Sequence, residues 1–174
     1  TLDLRNGVET TIFSDPHYDV DEVVMNAQDH VPEMVSVVRD RQSWTALGDA
    51  VRRDLRRLQK IHRGDFSIVS RSRDDRFWIV VFNEDVSPLK YYVYDRDTRT
   101  AEFLFAHRPA LLKYRLARMK PVTFTARDGL KIQGYLTRPV GKKKHVPMVL
   151  LVHGGPWARR RPPDPRKYTR TRSW

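Results

Sequence analysis

Five residues near the C-terminal end, His153-Gly154-Gly155-Pro156-Trp157, have the composition to act on a carbonyl group. Two successive glycines let a backbone turn sharply and leave its N–H groups uncovered. In hydrolases built on an α/β sheet, a glycine-rich turn after an early strand supplies one donor of the oxyanion hole, which stabilises negative charge gathering on an attacked carbonyl oxygen. Removing such a donor costs about 3 to 4 kcal/mol of transition-state stabilisation. Taken alone, a glycine pair after an apolar run serves equally well as a plain exit from a sheet.

An oxyanion donor acts only where something attacks the carbonyl. The matching nucleophile on such a sheet sits in a Gly-x-Ser-x-Gly elbow, followed by its acid and its histidine. None of the eight serines has flanking glycines. Ser67 and Ser70 fall in a strand pattern and Ser173 in the terminal tail, so no serine, acid and histidine set can be assembled, and acyl transfer has no route within these residues. His153 reads as a strand-end hydrogen-bonding residue rather than a proton carrier.

The turn is expected to be held by Met148 to His153, a nearly continuous apolar run that predicts a strand buried on both faces. Before it, Val122 to Thr125 and Lys131 to Leu136 enclose the turn Arg127-Asp128-Gly129. Further upstream the chain alternates in short segments. Leu2 to Leu4 and Glu9 to Phe13 flank Asn6-Gly7, which predicts one hairpin, and Val23 to Asn26 with Val35 to Arg39 predicts a second across Asp29-His30-Val31-Pro32. Leu47, Val51, Leu55 and Leu58 recur at helical spacing, predicting an amphipathic helix from Trp44 to Ile61 capped near Ser43, with Arg52, Arg53, Arg56 and Arg57 on its solvated side. Phe66 to Ser70, Phe77 to Phe82, Lys90 to Tyr94 and Thr100 to Phe105 read as four successive strands, the make-up of one propeller blade. Aromatics on both faces of the last two suit packing between blades.

A length of 174 residues at 40% hydrophobic content allows one ordinary core, or parts of two. The absence of cysteine excludes disulfides and thiolate metal sites but leaves a cytoplasmic or periplasmic location equally open. No metal or cofactor is expected. No apolar run is long enough to span a bilayer. The net charge of +12 is unevenly spread: Lys142 to Trp174 hold ten basic residues against Asp164, a net +9, leaving +3 for the first 141 residues. That distribution argues against a nucleic-acid face built into the fold.

In order along the chain, Gly64-Asp65-Phe66-Ser67-Ile68, Arg73-Asp74-Asp75-Arg76, Tyr91-Tyr92-Val93-Tyr94-Asp95, Arg127-Asp128-Gly129, Gly134-Tyr135-Leu136 and His153-Gly154-Gly155-Pro156 resemble the prolyl oligopeptidase family, above all its dipeptidyl aminopeptidase and acylaminoacyl peptidase members. The resemblance runs from about Thr1 to Arg159. It implies β-propeller strands with one inserted helix, followed by the first strands of an α/β-hydrolase domain: the end of a propeller over 1–109, a junction at 110–121, the start of the peptidase domain at 122–159, and a basic tail at 160–174 that departs from the family. An abrupt change at Arg159 to Arg161 is what a shifted reading frame would produce. By the same resemblance the backbone N–H of Gly155 is the oxyanion donor, Gly154 shapes the turn, His153 supports the loop and Trp157 walls the pocket. The implied parent cleaves short peptides through an acyl-enzyme, while this chain, as a fragment without its nucleophile, is expected to be inactive alone. The other functional expectation is a non-catalytic module that binds a partner through the propeller surface or the tail. Neither nucleic acid nor membrane is expected as a partner, and nothing in the sequence points to an oligomeric state.

Overall fold

A computed structural model describes residues 1–62, 64–141 and 146–152. Three antiparallel sheets follow one another. The first contains β1 (Val20–Met25), β2 (Pro32–Val38) and β3 (Gln42–Ala46). Helix α1 (Asp49–Ile61) leads from it to the second, a four-stranded meander of β4 (Asp65–Arg71), β5 (Phe77–Asn83), β6 (Lys90–Asp95) and β7 (Thr100–Ala106). A 3₁₀ turn (Pro109–Lys113) precedes a two-stranded sheet of β8 (Met119–Thr125) and β9 (Lys131–Thr137).

The four consecutive strands expected from the sequence are present in order β4-β5-β6-β7. The period of two explains which residues bury. Trp78, Val80 and Phe82 alternate toward one face of β5, and the pairs Phe66↔Phe82 and Trp78↔Tyr94 extend that face onto β4 and β6. Val51, Leu55 and Leu58 of α1 close over this surface with Met34 and Trp44 of the first sheet, forming a single apolar core. The four arginines of α1 point to solvent, as their spacing predicts. The opposite face of the blade also carries aromatics, and Tyr91 stacks on Phe105 there with centroids 4.6 Å apart. Among the described residues nothing covers β7 on its outer positions, where Phe103 and Phe105 are about half exposed.

The helix begins five residues later than its periodicity suggests. Trp44 and Ser43, expected in its first turn, belong to β3, where Ser36 pairs with Trp44 and Val37 with Ser43. Trp44 gains a buried sheet position and donates its indole N–H to the Phe66 carbonyl at 3.1 Å, so tertiary pairing overrides the local pattern. Gly48, extended at φ −128°, then breaks the strand and takes the N-cap position without any side-chain cap. The first hairpin is reduced to a single bridge, Leu2↔Glu9, around Gly7 at φ +71°. Leu4 is 89% exposed there, and two strands with no apolar face to bury gain too little to lengthen.

The expected strand from Met148 is not formed. Met148 to Val152 have no regular structure, and Val149 is 90% exposed. An isolated strand leaves both rows of backbone N–H and C=O groups unpaired, and among the described residues no neighbouring strand receives it. The region expected to open an α/β-hydrolase domain therefore consists, among the described residues, of the β8–β9 hairpin, with no parallel sheet. Pro121 lies within β8, paired with Tyr135. A two-stranded sheet has only edge strands, so the missing proline N–H deprives no third strand of a donor.

Candidate functional site

The residues singled out for oxyanion chemistry, His153, Gly154, Gly155 and Trp157, lie outside the described residues. Two of the described serines have structural roles. Ser36 is fully buried in β2 and holds Asp21 and Gln42, while Ser72 caps the β4–β5 turn through Asp74 and the Phe77 N–H.

Two polar clusters that sequence reasoning missed lie around α1. The first is an acid, imidazole and hydroxyl chain. His62, the residue that ends α1, places Nδ1 3.3 Å from Glu84 Oε1 and Nε2 2.7 Å from the Tyr92 hydroxyl. Its ring packs on Phe82 and Tyr92. Such a chain can orient an imidazole, but burial first, and then the Glu84 charge, push the Tyr92 phenol above its ordinary range. A phenol held protonated and pressed against aromatic rings is a poor nucleophile. The cluster ties the end of the helix to β6.

The second cluster is a buried ionic network. Asp54, only 3% exposed on the inner face of α1, accepts from the Tyr94 hydroxyl at 3.0 Å and from Arg96 Nε at 2.9 Å. Arg96 also pairs with Asp75, whose other oxygen accepts the Trp78 indole N–H at 2.7 Å. Arg71 continues the chain, to Asp75 at 3.3 Å and to Glu33 of β2 at 2.8 Å. Both guanidinium groups stand over the Trp78 ring, with their carbons 4.3 and 4.5 Å from its centroid. Asp75 is held at φ +57°, a left-handed conformation that its three partners over-determine. Burial and the adjacent Asp54 carboxylate raise the Tyr94 phenol far above its ordinary range, so it remains a donor. Each charged group here pairs with another residue of the chain, while Arg71 keeps Nε and Nη2 buried without an acceptor among the described residues; the network fastens the helix and the first sheet to the four-stranded sheet. Among the described residues no group of three or more His, Asp or Glu could hold a metal ion.

The hairpin is anchored beneath the blade. The Met119 N–H donates to Asp85 at 2.7 Å, and the Tyr135 hydroxyl donates to the Asp40 carbonyl at 2.6 Å. A four-stranded sheet, an ionic helix clamp and a hairpin tied to the β5–β6 loop and to the β2–β3 turn thus precede the glycine-rich turn in sequence.

No family model matches the chain. It is 37% identical over 166 residues to dipeptidyl aminopeptidase BIII of Pseudoxanthomonas mexicana, an alignment that covers 91% of the chain and 24% of that protein. It is 35% identical over 118 residues to dipeptidyl peptidase family member 6 of Caenorhabditis elegans, covering 55% of the chain and 16% of that protein. The chain therefore spans about a quarter of the length of the first relative and about a sixth of the second. The resemblance carried by the spaced motifs is borne out: over nine-tenths of its length, this chain aligns with a quarter of a dipeptidyl aminopeptidase.

Proposed function

We propose that the chain is part of a serine peptidase that removes short units from peptides through an acyl-enzyme. It would contribute propeller strands that restrict access to short substrates, and the oxyanion turn at Gly154 and Gly155. The observation that carries this reading is the continuous 37% identity to a dipeptidyl aminopeptidase across 91% of the chain. The four-stranded meander and the order of motifs up to His153-Gly154-Gly155-Pro156 support it. Without an elbow serine the chain has no attacking group, so by itself it hydrolyses nothing.

Two measurements test the reading together. A fluorophosphonate probe should leave the 174-residue chain unlabelled, and covalent labelling would overturn the proposal. The coding region should then be extended upstream through the rest of the propeller and downstream, in each reading frame, until a Gly-x-Ser-x-Gly elbow is included. That longer protein should release dipeptides from chromogenic substrates, and replacing Gly155 with proline, which removes its N–H, should lower kcat by about 100-fold or more. If no frame encodes an elbow, the peptidase assignment and the shifted-frame account of 160–174 both fail.

A further inference from the structure

Below the blade, the segment after the 3₁₀ turn and the β8–β9 hairpin enclose a groove of about 810 Å³. Four cations line it: Arg115, Arg118, Lys120 and Arg138. No acidic residue is among the described residues of its wall. Asp85, which precedes the lining residue Val86, is taken up by the Met119 N–H at 2.7 Å and faces Arg41 at 3.9 Å. None of the four cations has an ion-pair or hydrogen-bond partner among the described residues, whereas the arginines of the ionic clamp are all paired.

The floor between the cations is apolar, and the strand register explains why. Lys120 pairs with Leu136, Val122 with Gly134 and Phe124 with Ile132, so these side chains share one face of the hairpin. Opposite Val122 the missing side chain of Gly134 leaves a notch, and Val122 Cγ2 is the only atom within 4 Å of where a Cβ would stand. The stripe continues outward through Phe124 and Ile132, 53% and 42% exposed. A continuous apolar strip of this kind, bordered by one sign of charge, is the surface that an amphipathic polypeptide of the opposite charge complements.

We propose that this groove docks an acidic polypeptide segment, with apolar side chains seated along Val122 and Leu136 and carboxylates meeting the four cations. The apolar stripe distinguishes this occupant from a nucleic acid, which would call for cations interleaved with stacking rings along a backbone track. The inference uses only the groove's own residues, and it requires that the rest of the longer protein, of which the chain spans about a quarter, leave this face open.

The test is fluorescence anisotropy with the full 174-residue chain and a short fluorescein-labelled peptide in which glutamates flank leucines. Saturable binding that weakens with added salt is expected. Replacing the peptide leucines with serine should weaken binding about tenfold, and so should Arg115→Glu combined with Arg118→Glu, a loss equal to about 1.4 kcal/mol. Neutralising the tail (Arg166→Gln, Lys167→Gln, Arg170→Gln, Arg172→Gln) should leave affinity within about twofold. Arg138→Glu, at the far side of the groove, should reproduce the loss, and it replaces the double variant if that variant's urea midpoint shifts. Four outcomes would overturn the proposal: undiminished binding by the groove variants, equal binding of the serine peptide, loss of binding with the tail charges, or tighter binding of a single-stranded oligonucleotide. Concentration-dependent self-association that the peptide does not compete with would also overturn it, by assigning the groove to a second copy.

Discussion

Replacing Asp54 with alanine should destabilise the fold by about 3 to 5 kcal/mol, the usual cost of removing one partner from a buried ion pair. The magnitude follows from what is left behind. Asp54 is 3% exposed and is the acceptor for Tyr94 Oη and Arg96 Nε, at 3.0 and 2.9 Å. Its loss strands a buried phenol and half of a guanidinium whose other contacts run to Asp75. Asp54→Asn keeps an acceptor for Tyr94 but not the charge, so its cost should be smaller, about 1 to 2 kcal/mol. Urea unfolding followed by tryptophan fluorescence is the assay, because Trp78 is fully buried beside the network. With a denaturant slope of roughly 1 to 3 kcal/mol per molar, the alanine variant should lose about 1 to 5 M in midpoint with the slope unchanged. A double-mutant cycle with Arg96→Met should return a coupling above about 1 kcal/mol. If Asp54→Ala costs less than about 1 kcal/mol, or if the two single losses simply add, the buried network does not fasten α1 to the blade and the reasoning is wrong.

Other outcomes follow from the same geometry. Burial is the main cause raising the Asp65 carboxyl above the ordinary 3.8, with nearby Asp85 adding to it. Between that value and its raised folded value, the unfolded chain releases a proton that the folded chain keeps, so stability should fall as pH rises through this window and level off above it. Asp65→Asn should flatten this dependence and raise the urea midpoint at neutral pH. Asp95 behaves oppositely: its Arg76 partner holds the carboxyl below the ordinary range, so that stabilisation is present above pH 3.8 and is lost as pH falls through the lowered value. Tyr92→Phe should cost about 1 kcal/mol by removing the partner of His62 Nε2, read as a fall in thermal midpoint. Gly64→Ala should cost about 1 to 3 kcal/mol, because a Cβ there would stand 2.3 Å from the Asn83 carbonyl oxygen, a backbone atom that cannot swing away.

The period-2 and period-3.6 patterns carried most of the architecture. The four blade strands and the buried stripe of α1 were legible because each residue's face follows from its neighbours a few positions away. Trp44 was not, since an apolar residue three positions before Leu47 satisfies the helical template as well as a strand, and only pairing with Ser36 decides between them. Asp54 carried a signal that went unused: it falls three residues after Val51 and four before Leu58, a core position occupied by a carboxylate. A charge at such a position calls for buried partners, but Arg96 and Tyr94 lie some 40 residues on, and nothing local names them. For the candidate site, the glycine pair alone was ambiguous, and the oxyanion role expected of Gly154 and Gly155 came from the resemblance and falls outside the described residues. The supporting strand was overestimated because apolar composition reports what a segment would bury, whereas a strand also requires a hydrogen-bonding neighbour.

The indole of Trp78 has two guanidinium groups over its ring and hands its N–H to a carboxylate, so its electronic environment depends on side chains from β4, the β6–β7 turn and the β4–β5 turn at once. This gives the blade a built-in optical gauge. Its near-ultraviolet dichroism should fade when either cation is removed, even where the far-ultraviolet spectrum and the backbone ladders persist. Loosening of side-chain order could then be timed separately from the melting of the strands.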